Sequence, residues 1–351
     1  AVYEYLISDN PTSFKIPEYA DYMVATYKKQ EDLDKTEEQV MRFFKYFEDK
    51  TSWGVANKGE TDDMQSARKR ARQFREGQLD WMISSFHTRA QSLEKEKSPK
   101  VAAPFYAKAA IYYDLFINTF PDSKDLYEKE FFLAEILSYQ QGNWDKAITH
   151  YTGVTKRDPK GKYSKESAYK VILCGEEKMA IANLIPAPEH FKEAGKITTK
   201  AKQASVKYTN SDNDDDFKPI PKKELHKTEV SFLEACKHYT DFYPKDGEVP
   251  SISFRAAELF IRAGHYSEGI NRLEVIMEHH GNHKFASFAA ATLFDANYRL
   301  KRWDQMEVWG RYMLKKRNFK VLKKKQLEDV IAISINNYAA ELSEKGSKLK
   351  K

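Results

Sequence analysis

The chain has 351 residues and a net charge of +6, with 31% charged and 41% apolar residues and only 14 Gly and 12 Pro. Low Gly and Pro argue against a loop-rich all-β protein and against a collagen-like or linker-dominated chain. The aromatic content of 13% is too high for a disordered chain. The balance of charged and apolar residues is typical of helices that have one solvated face and one buried stripe.

Cysteine usage and hydropathy limit the class further. With only Cys174 and Cys236, a disulfide framework or a four-cysteine metal site is excluded. One bridge between them is conceivable, but we expect two buried thiols. No run of 18 apolar residues occurs, so we expect no transmembrane segment. The chain begins at Ala1, so a signal peptide or an upstream domain would lie outside the sequence.

Residues 1–100 predict an N-terminal helical region of atypical or capping repeats. Residues 1–17 look irregular, and Pro17 favours a helix through about residue 30. Thr36, with Gln39 three residues later, has the spacing of a capping box and predicts a helix that begins there. A long amphipathic pattern predicts another helix over residues 62–96.

A spacing of four, three and five residues recurs along the rest of the chain. The steps of four and three place the first three residues on one helical face, and a Pro or Gly five residues later ends the helix. The four sets are Ala109, Tyr113, Phe116 and Pro121; Ala147, Tyr151, Val154 and Pro159; Phe232, Cys236, Tyr239 and Pro244; and Gly269, Leu273, Ile276 and Gly281.

A tight turn with an aromatic residue precedes two of these second helices, and a third turn occupies the matching place before Met306. The turns are Gly142-Asn143-Trp144, Gly264-His265-Tyr266 and Lys301-Arg302-Trp303. Amphipathic stretches lie upstream of them at residues 128–140, 253–263 and 285–300. The predicted unit is therefore helix, short turn, helix and stop, and the small residue early in the second helix lets the two helices pack closely.

These residues resemble the tetratricopeptide repeat over the segments 101–182 and 228–318. The stretch from Phe116 to Ser123 is similar to repeats of bacterial cell-envelope and outer-membrane-associated proteins. Glu135, Gly310 and Asn318 depart from the consensus. The resemblance implies an all-α fold, a right-handed superhelical solenoid of degenerate helical hairpins whose concave groove is lined by the first helices. A partner peptide or helix would then contact Phe132, Ile136, Tyr139, Arg255, Glu258, Arg262, Asp295, Tyr298 and Arg299.

Two segments break the repeat pattern. Residues 183–227 contain four prolines and the acidic run 211–216, which predicts a partly helical insertion (helix at 190–208) with an exposed acidic loop. Residues 319–351 predict a C-terminal capping helix, at about 325–343, and a basic tail.

Candidate metal sites have simpler interpretations. Asp212, Asp214 and Asp216 are spaced like the first ligands of a calcium loop, but Phe217 and Lys223 stand where Gly and Glu are required. The group of His279, His280 and His283 beside Glu278 has spacing that suits a divalent ion. We interpret it as a polar helix end, where His also suits the helix dipole.

Two basic runs motivate the alternatives to a scaffold. The first contains Arg68, Lys69, Arg70, Arg72 and Arg75, and the second contains Lys315, Lys316, Arg317, Lys320, Lys323, Lys324 and Lys325. Either run suits nucleic acid or anionic lipid, and each also suits a solvated surface.

The sequence thus predicts a non-enzymatic scaffold for a protein or peptide partner, without catalytic residues, cofactor or metal. Its location would be the bacterial periplasm or the outer membrane, in a secretion, motility or outer-membrane assembly, with peripheral envelope association; the cytoplasm is the alternative. The alternative functions are a regulatory or sensor domain that binds nucleic acid or a signalling peptide, and a docking domain of a longer enzyme. We expect nucleic acid to be the less favoured partner.

Overall fold

Helices account for all the regular structure in a computed structural model that describes residues 2–96, 98–186, 188, 218–316 and 322–348. No strand occurs in these ranges, so the all-α prediction is confirmed there. The helices are α1 (Val2–Asp9), α2 (Ile16–Lys29), α3 (Leu33–Tyr46), α4 (Ser52–Ala56), α5 (Asp62–Lys95), α6 (Pro99–Thr119), α7 (Leu126–Tyr139), α8 (Trp144–Arg157), α9 (Ser164–Ile181), α10 (Lys227–Phe242), α11 (Val249–Arg262), α12 (Tyr266–His279), α13 (Ala286–Arg299), α14 (Trp303–Lys315) and α15 (Lys324–Lys348).

Successive helix pairs are joined by links of constant length. The links before α2, α7, α9, α11 and α13 each hold six residues. In the link before α7, Ser123 N donates to Phe120 O at 3.0 Å and Leu126 N donates to Ser123 O at 3.3 Å. Proline is the second link residue in four of the five links, where its fixed φ suits a turn and its missing N–H is not needed. These are the stop positions predicted from the sequence.

Within a pair, the first helix ends in a left-handed residue. The φ angles are 56° at Glu31, 59° at Gly142, 75° at Gly264 and 53° at Lys301, and each of these residues lies two positions before the next helix. The amide that follows the left-handed residue usually closes the turn on a carbonyl five residues back, as His265 N does on Phe260 O at 2.8 Å. This is a Schellman-type C-cap, in which the orphan carbonyls of the helix end are satisfied.

Helix α9 ends in the same type of C-cap, although α10 does not follow it directly in the sequence. Asn183 has φ 56°, and Leu184 N donates to Met179 O at 2.9 Å. More than forty residues of sequence separate this cap from α10, which begins at Lys227. The predicted insertion at 183–227 therefore stands where the other pairs have their three- or four-residue turn.

The repeat period is longer than that of the tetratricopeptide consensus. Helices α11 and α13 begin 37 residues apart, at Val249 and Ala286, and α7 and α9 begin 38 apart, at Leu126 and Ser164. The consensus unit has about 34 residues. The resemblance to that family therefore stays a prediction, because the repeat length differs and only the helix–turn–helix plan and the residues at the helix contact agree with it.

The predicted helix contacts are present inside each pair. All three helical positions of the four spaced sets are buried. A Cβ built on Gly269 of α12 would lie 2.6 Å from Ile261 Cδ1 of α11 and 3.1 Å from Ala257 O, so α11 and α12 approach too closely for a side chain there. The small residue early in the second helix therefore has the packing role that the sequence predicted.

Two local predictions near the N-terminus are wrong. Residues 2–9 form helix α1 instead of irregular structure. Helix α3 begins at Leu33, where Asp32 caps it by accepting from Lys35 N at 3.0 Å, so Thr36 is not the cap. The Thr36 hydroxyl is buried and donates to Asp32 O at 2.7 Å. The prediction failed because Asp32 offers a capping carboxylate one turn earlier.

The chain divides into two compact units, Ala1–Pro159 and Lys160–Lys351. The division falls between α8 and α9, inside the predicted segment 101–182. Unit 1 contains α1 to α8 and unit 2 contains α9 to α15. In unit 2 one apolar core is built on α9 to α11 and another on α11 to α15, so α11 contributes to both. The predicted helix at 190–208 and the acidic loop at 211–216 lie outside the described residues.

Candidate functional site

An ion pair joins α9 to α11 in unit 2. Arg255 Nη1 lies 3.2 Å and 3.3 Å from the two carboxylate oxygens of Glu176. The two side chains are only 13% and 11% exposed. Because both charges are largely desolvated, each needs the other, and the pair belongs to the packing of α9 against α11.

Arg262 lies seven residues after Arg255, on the same face of α11. Its Nη2 is 3.5 Å from Glu229 Oε1 of α10, and the side chains are 45% and 11% exposed. Glu229 also caps α10, because its carboxylate accepts from His226 N at 2.9 Å while His226 Nδ1 accepts from Thr228 N at 3.3 Å. Arg262 is thus held by a carboxylate whose own position is fixed by a capping box.

Glu258 lies on the same face of α11, between these two arginines. In the described part of the chain its carboxylate has neither a hydrogen bond nor an ion pair. Although Glu258 is exposed at the surface, desolvation by the surrounding protein raises the pKa of its carboxyl. Arg262 and Arg255 oppose this shift in pKa, and Glu176 adds to it. Glu258 is therefore an acid that feels both arginines but has no ion-pair partner within 4 Å among the described residues.

A cavity of about 340 Å³ opens beside Glu258. It lies between the first helices α9 and α11 and is closed at one side by α10. Its lining combines four charged and five apolar side chains: Glu176, Arg255, Glu258, Arg262, Met179, Ile185, Pro186, Phe232 and Leu259. We call it the Glu258 pocket. It brings together three of the nine side chains that the sequence assigned to a partner.

A segment without helix or strand, Lys218–His226, covers the turn between α11 and α12; we call it the return segment. Its backbone is tied down by Lys223 N to Ala263 O at 2.9 Å, by Ile220 N to Tyr266 Oη at 2.9 Å, and by contact of Lys223 O with His265 Nε2 at 2.8 Å. Ile220 packs against the core built on α11 to α15. The segment binds its own chain through main-chain hydrogen bonds, as an extended peptide binds a receptor.

The remaining predicted residues of unit 2 lie on α13, where the return segment reaches one of them. Arg299 Nη1 donates to Lys218 O at 3.3 Å, and Arg299 Nε lies 2.8 Å from Asp295 Oδ2. A second cavity, of about 360 Å³, adjoins this contact and is lined by Tyr298, Arg299 and Trp303 together with Lys218, Pro219, Lys301, Asn337, Ala340, Glu341 and Glu344. Arg299 thus contacts the protein's own chain.

The other three predicted residues lie on α7 in unit 1. The Phe132 ring stands 5.8 Å from the His87 ring, and Tyr139 is half-buried. Ile136 is 2% exposed and belongs to the core, so its side chain does not reach the surface that a partner would touch. Ile136 was assigned to the groove because it follows the helical period of a first helix, but its side chain packs into the core of unit 1.

Unit 1 contains an unusual lysine that the sequence does not single out. Lys28 Nζ lies 4.0 Å from the centre of the Trp81 ring and 2.6 Å from Gln78 Oε1. Burial lowers the pKa of Lys28 to about 8, and the charge of Asp21 opposes that shift. The neighbours come from α5, some fifty residues along the chain, so no local signal identifies this lysine.

The first basic run is engaged within unit 1. Four of its arginines have partners there, at carbonyl oxygens, carboxylates and aromatic rings. Arg68 Nη1 donates to Asn57 O and Gly59 O at 2.5 and 2.6 Å, Arg70 lies 3.6 Å from Glu18, Arg72 lies 2.6 Å from Asp122, and the Arg75 guanidinium stands 4.3 Å from the Phe44 ring centre. Of the second run, residues 317–321 lie outside the described residues, and Lys316 stands over Tyr312 at 4.8 Å.

The histidine group forms the polar helix end that the sequence suggested. His283 Nδ1 accepts from Phe285 N at 3.3 Å in the link before α13, and burial lowers the pKa of both His280 and His283. Within the described ranges, no three His, Cys, Asp or Glu side chains are grouped as a metal ion would require. Cys174 and Cys236 are both buried, and no disulfide joins them.

Hydropathy and comparison with known proteins add little to this geometry. Among the described residues, no helix combines the length and the apolar character that a bilayer crossing requires. The sequence matches no protein-family model. It also matches none of the curated proteins.

Proposed function

We propose that this chain is a non-enzymatic scaffold that binds a peptide or a partner helix along the first helices of unit 2. The observation that carries the proposal is the Glu258 pocket between α9 and α11, in which Arg255, Glu258 and Arg262 meet. A mixed apolar and charged cleft between helices is a common form of recognition site for protein segments.

The charged residues of this surface differ in how far they are already paired within the protein, and therefore in how well each could contact a partner. Arg255 is committed to Glu176, so it fixes the wall of the pocket. Arg262 lies at the surface but is paired with Glu229, whereas the exposed carboxylate of Glu258 presents a negative charge to a partner. Exposed charges at the rim of an interface steer association and set register.

The test is an affinity capture from native lysate with a charge reversal that spares the buried pair. The variant Glu258→Lys changes an exposed group that belongs to neither the Arg255–Glu176 nor the Arg262–Glu229 ion pair. The matched control, Glu234→Lys, makes the same change at an exposed position of α10. We expect a protein that is captured by the wild type and the control and lost by the first variant, with equal helical content in all three. Equal capture by all three would refute this surface as the binding site.

We further propose a place in a bacterial envelope assembly, on the strength of the repeat style around Phe116–Ser123. Fractionation of cells that express the complete gene would test this proposal. Recovery with the periplasm or the outer membrane supports it, and recovery with the cytoplasm contradicts it.

The alternative of nucleic-acid recognition through the first basic run has less support. Its four arginines already contact carbonyls, carboxylates and rings of unit 1. Phosphates would have to compete with those contacts, so we favour the protein-binding function.

A further inference from the structure

The charges around the Glu258 pocket leave one group uncompensated. Arg255 is paired with Glu176, and Arg262 is paired with Glu229. Each arginine therefore has its own carboxylate. Glu258 is the fifth charge, and in the described part of the chain no cation lies within ion-pair distance of it. The pocket presents an unpaired negative charge next to two neutralised pairs.

The walls of the pocket are suited to an aliphatic chain. Met179 of α9, Phe232 of α10 and Leu259 of α11 line it together with Ile185. A lysine or arginine side chain carries three or four methylenes, which bury well against such walls, and a charged head that seeks a carboxylate. Apolar walls with one acid outside the existing ion pairs suit this combination better than they suit a purely apolar side chain.

We propose that the Glu258 pocket binds a lysine or arginine side chain of the partner segment, with the aliphatic stem against the apolar walls and the cationic head at the Glu258 carboxylate. This inference rests on the proposed function, since it names the chemistry that the same surface selects.

An acidic side chain of the partner would fit less well. To bind it, Arg255 or Arg262 would have to leave a carboxylate that is 11% exposed, and a largely buried charge without a partner is costly. A cation at Glu258 breaks no existing pair. The positive charge of the bound head favours the ionised form of this carboxyl and opposes the effect of desolvation, so binding should lower its pKa.

The test begins with a library of random decapeptides displayed on phage and selected on the intact chain. We expect lysine or arginine at one position of the selected peptides. Synthetic copies then carry norleucine in place of that lysine, or citrulline in place of that arginine. The loss of charge should weaken binding to the wild type about tenfold, the value of one charge-assisted hydrogen bond.

Three protein variants assign this effect to Glu258. With Glu258→Gln, the charged peptide and its neutral copy should bind within about twofold of each other, while the control Glu234→Gln on α10 keeps the tenfold difference. With Glu258→Lys, selection should favour Asp or Glu at the same peptide position. Carboxyl ¹³C NMR should show that the pKa of Glu258 falls when the charged peptide is bound.

The outcomes separate this inference from the proposed function. Selected peptides that bind the wild type and lose affinity with Glu258→Lys, yet show no difference between lysine and norleucine, overturn the inference and leave the binding function standing. If no peptide binds the wild type, both are overturned. An equal tenfold difference in the wild type and in Glu258→Gln also refutes the pocket, because another group would then hold the charge.

Discussion

The substitution Gly264→Ala adds one methyl group at the contact with the return segment, so it tests how tightly that segment packs on the turn between α11 and α12. Gly264 has φ 75°, and an added Cβ would lie 2.6 Å from Pro221 O and 2.7 Å from Ile220 O. Gly142 provides the control, because it has φ 59° and the nearest atom to its Cβ would be Trp144 Cζ2 at 3.7 Å, an ordinary contact. Both Gly→Ala changes incur the left-handed backbone cost of about 1–2 kcal/mol. Both also gain the same small amount from restriction of the unfolded chain.

The difference between the two variants therefore measures the contact. At Gly264 the obstacles are backbone oxygens, which cannot rotate away, so the return segment must shift and strain the hydrogen bonds at Ile220 N and Lys223 N. At about 1 kcal/mol for each bond, we expect Gly264→Ala to cost about 2 kcal/mol more than Gly142→Ala. That is roughly a thirtyfold larger opening constant.

Hydrogen exchange is the suitable assay, because a chain of two units need not unfold in one step. The amide of Lys223, bonded to Ala263 O, should lose protection in Gly264→Ala and keep it in Gly142→Ala. Equal costs for the two variants, with Lys223 still protected, would show that the return segment does not press on this turn.

Three further predictions concern burial and charge. Either Arg255→Met or Glu176→Met should lower the free energy of unfolding by about 3–5 kcal/mol, and the double variant should recover most of it in thermal denaturation; no recovery would mean that the two groups act separately. The lowered pKa of Lys28, about 8, means that folding disfavours its charged form, so this group contributes stability above its unfolded pKa and loses it as the pH falls through 8. The stability of Lys28→Met relative to the wild type should therefore decrease between pH 7 and pH 10 in urea titrations, and a difference independent of pH would contradict the shift. Ala147→Trp should lower the melting temperature because Ala147 is fully buried and overpacking costs roughly 1–3 kcal/mol or more, whereas Thr149→Trp on the exposed side of α8 should not; equal effects would contradict the register of α8.

Much of the fold could be predicted from local sequence because local contacts build it. The sets that begin at Ala109, Ala147 and Gly269 follow the helical period, and their stop residues lie at the second link position. The pair α2–α3 was harder to recognise, since Glu31 instead of glycine takes the left-handed position there. A right-handed superhelix of the whole chain stays a prediction.

The candidate site was only partly predictable because its properties depend on contacts between distant residues. The period of α11 places Arg255, Glu258 and Arg262 on one face, which the sequence shows. Their partners Glu176 and Glu229 come from other helices, and these pairs decide which charge is left over. Contacts with other helices likewise decide whether an apolar residue such as Ile136 of α7 lies in the core or at the surface.

The return segment has a consequence for synthesis on the ribosome. Lys218 leaves the ribosome 81 residues ahead of its partner Arg299. At about 5–20 residues per second, roughly 4–16 s pass before Arg299, the last of the hydrogen-bonding partners described for this segment, has been made. Ile220 is its apolar anchor, and during that time it is flanked by Pro219, Pro221 and nearby lysines, which resist β-aggregation. We therefore expect the residues around Ile220 to limit aggregation of the nascent chain, in addition to holding the return segment in the folded one.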